Sequence, residues 1–111
     1  MSESSYVKVA TKNQISEGAM IKVHVDDEEV LLANVGGGFY ALANKCPHMH
    51  GDLSAGKLEG EVVTCPRHGS KFNVTTGKAV GKPKMGLFHP NVNDAKVFEV
   101  KVDGEDILVK R

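Results

Sequence analysis

An all-β fold is what this sequence predicts, and three observations predict it. Apolar and polar residues alternate over short runs, as they do on strands with one face buried. Clusters of Gly, Asp and Asn punctuate the runs at turn-like spacing. No stretch carries helical periodicity. Residues 6–10 open with alternation, and residues 11–18 form a polar connection. Residues 20–25 alternate again, and Asp26-Asp27-Glu28 turns into a strand over 29–35. The triple glycine 36–38 closes a hairpin into a strand over 39–43. Near the end, residues 96–102 alternate without interruption, and Asp103-Gly104 turns the chain into a last strand over 106–109.

Residues 44–80 break this rhythm and read as an insertion between strands of a β base. Two short strands are expected within it, over 61–64 and 71–74, with a turn at Gly77-Lys78. Residues 81–94 follow with Pro83, Pro90 and no strand pattern. A loop of that length in a compact domain is usually functional or mobile.

The chain of 111 residues, 41% of them hydrophobic, suits one domain with a modest core. It has no apolar run long enough to cross a membrane. The start, Met1 to Tyr6, lacks the basic and apolar regions of a signal peptide, so a cytoplasmic location is expected. Net charge is zero but uneven. Residues 1–43 carry three Lys against six acidic residues, and residues 44–111 carry eleven Lys or Arg against eight. Lys45, Arg67, Lys71, Lys82 and Lys84 suggest a basic rim that could steer a redox partner, although ordinary solvated surface has the same look. Aromatics at 5% and the lack of a basic run argue against nucleic acid as a partner.

The chemistry lies in two pairs, Cys46-Pro47-His48 and, after sixteen intervening residues, Cys65-Pro66-Arg67-His68. They use both cysteines of the chain, and Gly51 and Gly69 follow them closely, so each pair suits a tight loop. Two thiolates and two imidazoles are the donors of a mixed-ligand [2Fe–2S] centre, with Cys₂ on one iron and His₂ on the other. Zinc also takes this donor set. The common Cys₂His₂ finger, however, places like ligands adjacent and adds a helix, whereas here Cys and His alternate between strand-like segments. A third reading makes both cysteines buried thiols, and it leaves the spaced histidines unexplained.

The paired spacings resemble the Rieske signature, and residues 65–72, Cys-Pro-Arg-His-Gly-Ser-Lys-Phe, are similar to that family's second cluster loop almost position by position. The resemblance implies a Rieske fold, an antiparallel β-sandwich or barrel base with a small inserted cluster-binding subdomain. It would form a single domain over 1–111, with the subdomain at about 44–80 and the base at 1–43 and 81–111. It implies one [2Fe–2S] cluster per chain held by Cys46, His48, Cys65 and His68. Residues 81–94 would be the proline-bearing loop that shields the cluster. His50 reads as a loop residue, His24 as surface, His89 as part of the proline-bearing loop, and Met49 as loop packing beside His48 rather than a third soft ligand.

Departures from the pattern refine the class. The disulfide of respiratory Rieske proteins would need cysteines where Gly51 and Arg67 stand. Ser70 keeps a hydroxyl expected to donate to a bridging sulfide, while Phe72 replaces a tyrosine whose hydroxyl would reach a ligand sulfur. With no membrane anchor, these features resemble the soluble Rieske-type ferredoxins of ring-hydroxylating dioxygenases. Such a protein would carry single electrons from a flavin-type reductase to a terminal oxygenase and would not itself be an enzyme. The alternatives are a small Rieske subunit of a larger oxidoreductase, such as assimilatory nitrite reductase, and a zinc-binding interaction module. An oxygenase subunit is disfavoured, since the chain is too short for a mononuclear-iron domain and lacks a 2-His-1-carboxylate set.

Overall fold

The computed structural model describes residues 6–44, 52–66, 71–81 and 95–111. Their regular structure is eleven strands and two single-turn 3-10 segments, Lys12–Gln14 and Leu53–Ala55. The strands are β1 (Tyr6–Thr11), β2 (Met20–Val25), β3 (Glu28–Val35), β4 (Gly38–Ala43), β5 (Lys57–Glu59), β6 (Val62–Thr64), β7 (Lys71–Asn73), β8 (Ala79–Gly81), β9 (Val97–Phe98), β10 (Val100–Asp103) and β11 (Asp106–Lys110). They form three antiparallel sheets, ordered β1-β11-β10, β2-β3-β4-β9 and β5-β6-β7-β8.

Side-chain parity on β3 explains how the sheets stack. Val30 and Leu32 point into one core with Ala10, Val23, Val25, Ala41, Phe98, Ile107 and Val109. Leu31 and Ala33 point the other way, into a second core with Leu42, Leu53, Val63, Cys65, Phe72 and Val74. Because successive residues of a strand face opposite sides, the unbroken run Val30-Leu31-Leu32-Ala33 is buried on both faces. The β2-β3-β4-β9 sheet is therefore a middle layer. The β1-β11-β10 sheet covers one face and the β5-β6-β7-β8 sheet the other.

The hairpins follow turn chemistry. Val35 pairs with Gly38 across a two-residue loop, Gly36 and Gly37, with φ of 59° and 90°. Two consecutive positive φ values define the type I′ turn, which glycine adopts without steric cost. Asn34 secures this corner, its amide donating to the Ile15 carbonyl (2.9 Å) and its Oδ1 accepting from the Gly37 N–H (3.1 Å). Asp103 pairs with Asp106 across Gly104 and Glu105, with only Gly104 of these two at positive φ.

The alternating run 96–102 is one strand in pattern and two in space. Phe98 on β9 pairs with Ala41 of the middle layer, and Val100 on β10 pairs with Val109 of the outer sheet. Glu99 is the corner between them, and its carbonyl accepts from the Lys110 N–H (2.9 Å). Strands that turn from one sheet into another this way close the edge between packed sheets. The Glu99 carboxylate also accepts from the Tyr6 hydroxyl (2.9 Å), and this hydrogen bond holds Tyr6 above the ordinary phenol range. No helix among the described residues is long and apolar enough to cross a membrane.

Candidate metal centre

The β5-β6-β7-β8 sheet is a meander, so its strand ends gather in a way the register makes explicit. Lys57, which begins β5, pairs with Thr64, which ends β6. Thr64 pairs with Lys71, which begins β7, and Lys71 pairs with Gly81, which ends β8. One end of this sheet therefore carries the return from the first Cys-His pair (52–56), both flanks of the second pair, and the start of the proline-bearing segment. Sequence places these features up to 29 residues apart, from Asp52 to Gly81; the antiparallel pairing gathers them at one end of the sheet.

Of the four expected ligands, Cys65 lies within the described residues. It directly follows β6 and is 1% exposed, packed in the second core with Leu53, Val63, Phe72 and Val74. Phe72 pairs with Val63 across the hairpin and is fully buried. A thiol sheltered by apolar neighbours suits a metal–thiolate site from which water is excluded. Cys46, His48 and His68 lie outside the described residues, as do His50, His89, Gly51, Arg67, Ser70 and the segment 82–94. His24 is exposed on β2, as its place among Lys and Asp implied.

The flanks of the first pair are described, and they are tightly fastened. Asn44 at the end of β4 is fully buried. Its N–H donates to the Glu29 carbonyl (3.0 Å), and its own carbonyl accepts from the Leu53 N–H (2.7 Å). Its side-chain Oδ1 accepts from the Ser54 N–H (2.9 Å), and its Nδ2 donates to the Glu29 carboxylate (3.4 Å). Leu53, immediately beyond, fills the second core beside Cys65. A Cβ on Gly56 would fall on the Thr64 carbonyl oxygen, so the return from the first pair passes backbone to backbone against the residue preceding Cys65. Sequence reading found neither Asn44 nor Gly56. Asparagine at a strand end reads as a turn residue, and nothing local signals its burial.

The far end of the sheet is tied down by Gly77, whose N–H donates to the Asn73 carbonyl (2.6 Å) and whose carbonyl accepts from the Ala95 N–H (2.7 Å). At φ of 78° it also lies so close that a Cβ would meet Val97 and the Ala95 carbonyl. This contact joins the β7–β8 turn to the approach to β9. Gly81 and Ala95, the described residues on either side of 82–94, are thus both held at the β7–β8 hairpin.

The donors fit a mixed-ligand iron–sulfur centre chemically, with two thiols and two imidazoles in paired spacing and Cys65 sheltered at the sheet end where the flanks gather. Comparison with known proteins agrees. A Rieske [2Fe-2S] domain family model matches residues 5–92. The ferredoxin component of biphenyl 2,3-dioxygenase from Rhodococcus jostii (strain RHA1) is 36% identical over 102 residues, covering 92% of this chain and 89% of that protein. The ferredoxin of carbazole 1,9a-dioxygenase from Nocardioides aromaticivorans IC177 superposes with a TM-score of 0.84 at 33% identity, covering 96% of this chain and 97% of that one. A chain from a complex of reduced oxygenase and oxidized ferredoxin in carbazole 1,9a-dioxygenase matches with a TM-score of 0.84 at 32% identity, covering 96% and 93%. Strand order, the sheltered Cys65 and likeness over nearly the whole length converge: this chain belongs to the Rieske [2Fe–2S] domain family.

Proposed function

We propose that this protein is the ferredoxin of an aromatic-ring dioxygenase system, carrying single electrons from a flavin-type reductase to a terminal oxygenase. The gathering of the flanks of both Cys-His pairs at one end of the β5-β6-β7-β8 sheet supports the reading, since donors from both pairs are what one mixed-ligand site needs. Likeness to dioxygenase ferredoxins supports it, since 92% of this chain aligns with 89% of the biphenyl 2,3-dioxygenase ferredoxin component. A cytoplasmic location is part of the same proposal.

In this reading Cys46 and Cys65 hold one iron of the cluster and His48 and His68 the other. When bound, the cluster supplies reversible one-electron chemistry at roughly −150 to +300 mV, well above the about −400 mV of all-Cys plant-type clusters. Neutral imidazoles in place of two thiolates remove negative charge from the centre, which favours the reduced form. The apolar side chains around Cys65 keep water from the thiolate side. As ligands, His48 and His68 would each keep a second ring nitrogen free to face a partner, the route by which an electron would leave. Residues 44–80 act as a cluster-binding subdomain within a single domain of 111 residues, and the basic side chains near the ligands steer an acidic partner.

Metal analysis with absorption and EPR spectroscopy tests the cofactor, and reconstituted electron transfer tests the role. Two irons and two acid-labile sulfides per chain, with turnover of an oxygenase that depends on adding this protein to its reductase, is the expected result. Zinc without sulfide would favour an interaction module. Co-purification in a fixed ratio with a large oxidoreductase would favour a resident subunit.

A further inference from the structure

Asn44 stands two positions before Cys46 and is fully buried. A polar side chain leaves water at a cost unless its donors and acceptors are met. Its neighbours on β4, Ala41, Leu42 and Ala43, are apolar, so filling space at this strand end does not call for an amide. The amide instead joins three pieces of chain. It reaches β3 through the Glu29 carboxylate and the 3-10 turn through the Ser54 N–H, while its own backbone bonds Glu29 and Leu53. Lys22 on β2 lies 3.9 Å from both Glu29 and Asp52, an outer clasp on the same neck. Beyond Ser54 the chain reaches Gly56, whose backbone lies against Thr64, the residue before Cys65. A continuous line of contacts thus runs from the neck of the first Cys-His segment to the neck of the second.

We propose that Asn44 is a positioning residue for the cluster. It closes the neck of the 45–51 segment, so that Cys46 and His48 meet the cluster at a fixed span from Cys65. Hydrogen bonds here do what a disulfide between the two loops would do, and both cysteines of this chain are already committed to the Cys-His pairs. The proposal rests on the ligand set assigned under the proposed function, and Asn44 acts on those ligands through the backbone of its own strand and of residues 53–54.

The test uses holoprotein and reads the rate at which the visible cluster absorption is lost to a chelator, with amide exchange followed in parallel. Asn44→Ala strands the part-buried Ser54 N–H and leaves the neck unfastened, and it should speed cluster loss on the order of tenfold, as a sheltered donor left unpaired implies. Exchange in β1, β10 and β11 should stay at the level of the unaltered protein, since these strands lie across the other core. Asn44→Asp keeps the acceptor for Ser54 but faces the Glu29 carboxylate, and it should also speed loss. Combining Asn44→Asp with Glu29→Gln reverses the donor and acceptor at unchanged net charge and should bring the rate back to within about twofold. An unchanged rate in Asn44→Ala would overturn the proposal. So would an acceleration matched by faster exchange in β1, β10 and β11, or a double variant no better than Asn44→Asp alone. If Asn44→Ala does not fold, the comparison of the last two variants decides by itself. An unaltered protein lacking iron and sulfide would overturn the ligand set and this role with it; a loaded but insensitive protein overturns the role of Asn44 alone.

Discussion

Cys65 and Phe72 show how single residues set the chemistry. Both are buried in the core between the middle layer and the β5-β6-β7-β8 sheet, so a hydroxyl added to Phe72 would sit in an apolar core that also holds the Cys65 thiol. Phe72→Tyr should raise the reduction potential, because a hydroxyl bonded to a ligand sulfur stabilises the reduced state. A differential of about 1 kcal/mol corresponds to roughly 40 mV, scaling from about 59 mV per tenfold for one electron. Ser70→Ala should lower it by a similar amount. Voltammetry checks both, and a Phe72→Tyr protein destabilised with no change in potential would show the hydroxyl stranded rather than bonded. The register of the first pair has its own test. His48→Ala should abolish or convert the cluster spectrum, whereas His50→Ala should leave it intact, and the reverse outcome would move the ligand by two positions.

Elements place these residues, and their legibility in sequence tracks how local their causes are. β1 to β4 and β11 could be read directly, because short alternating or apolar runs end at local turn signals, Asp26-Asp27, Gly36-Gly37 and Gly104. β5 and β8 could not: Lys57-Leu58-Glu59 has one apolar residue and Ala79-Val80-Gly81 ends on glycine, so neither shows a strand pattern without its neighbours. The division of residues 96–102 into β9 and β10 was hidden for a different reason. Phe98 and Val100 face the same core although they pair in different sheets, so the period of two continues across the corner at Glu99. The Cys-His pairs were visible in sequence because metal ligation demands particular residue types at particular spacings. Asn44 and Gly56 were not, because their roles arise from contacts with Glu29, Ser54 and Thr64 that only the folded chain makes. The Gly56 contact predicts a cost: Gly56→Ala should lower stability by about 1–3 kcal/mol, as overpacking against backbone does. Calorimetry would show this as a fall of several degrees in melting temperature, and an unchanged value would mean the return segment shifts freely.

Over the whole molecule, the two cores divide the work. The core between the β1-β11-β10 sheet and the middle layer is closed by strands from both ends of the chain, and Cys65 is not part of it. The second core is built on Leu31, Ala33 and Leu42 of the middle layer, and it reaches Cys65. Metal binding contributes folding energy where a site forms only in the folded chain. Removing the cluster should therefore free amides mainly within residues 44–80 and leave β1, β2, β10 and β11 protected. Equal protection in apo and holo protein would show the subdomain folding without its metal. The central claim, a centre with cysteine on one iron and histidine on the other, is tested most directly by a redox titration followed by EPR. The account predicts a one-electron signal with a midpoint in the lower part of the roughly −150 to +300 mV range, since at most one of the two side-chain hydrogen-bond donors is present. A midpoint near about −400 mV, or a protein silent to reduction, would contradict it.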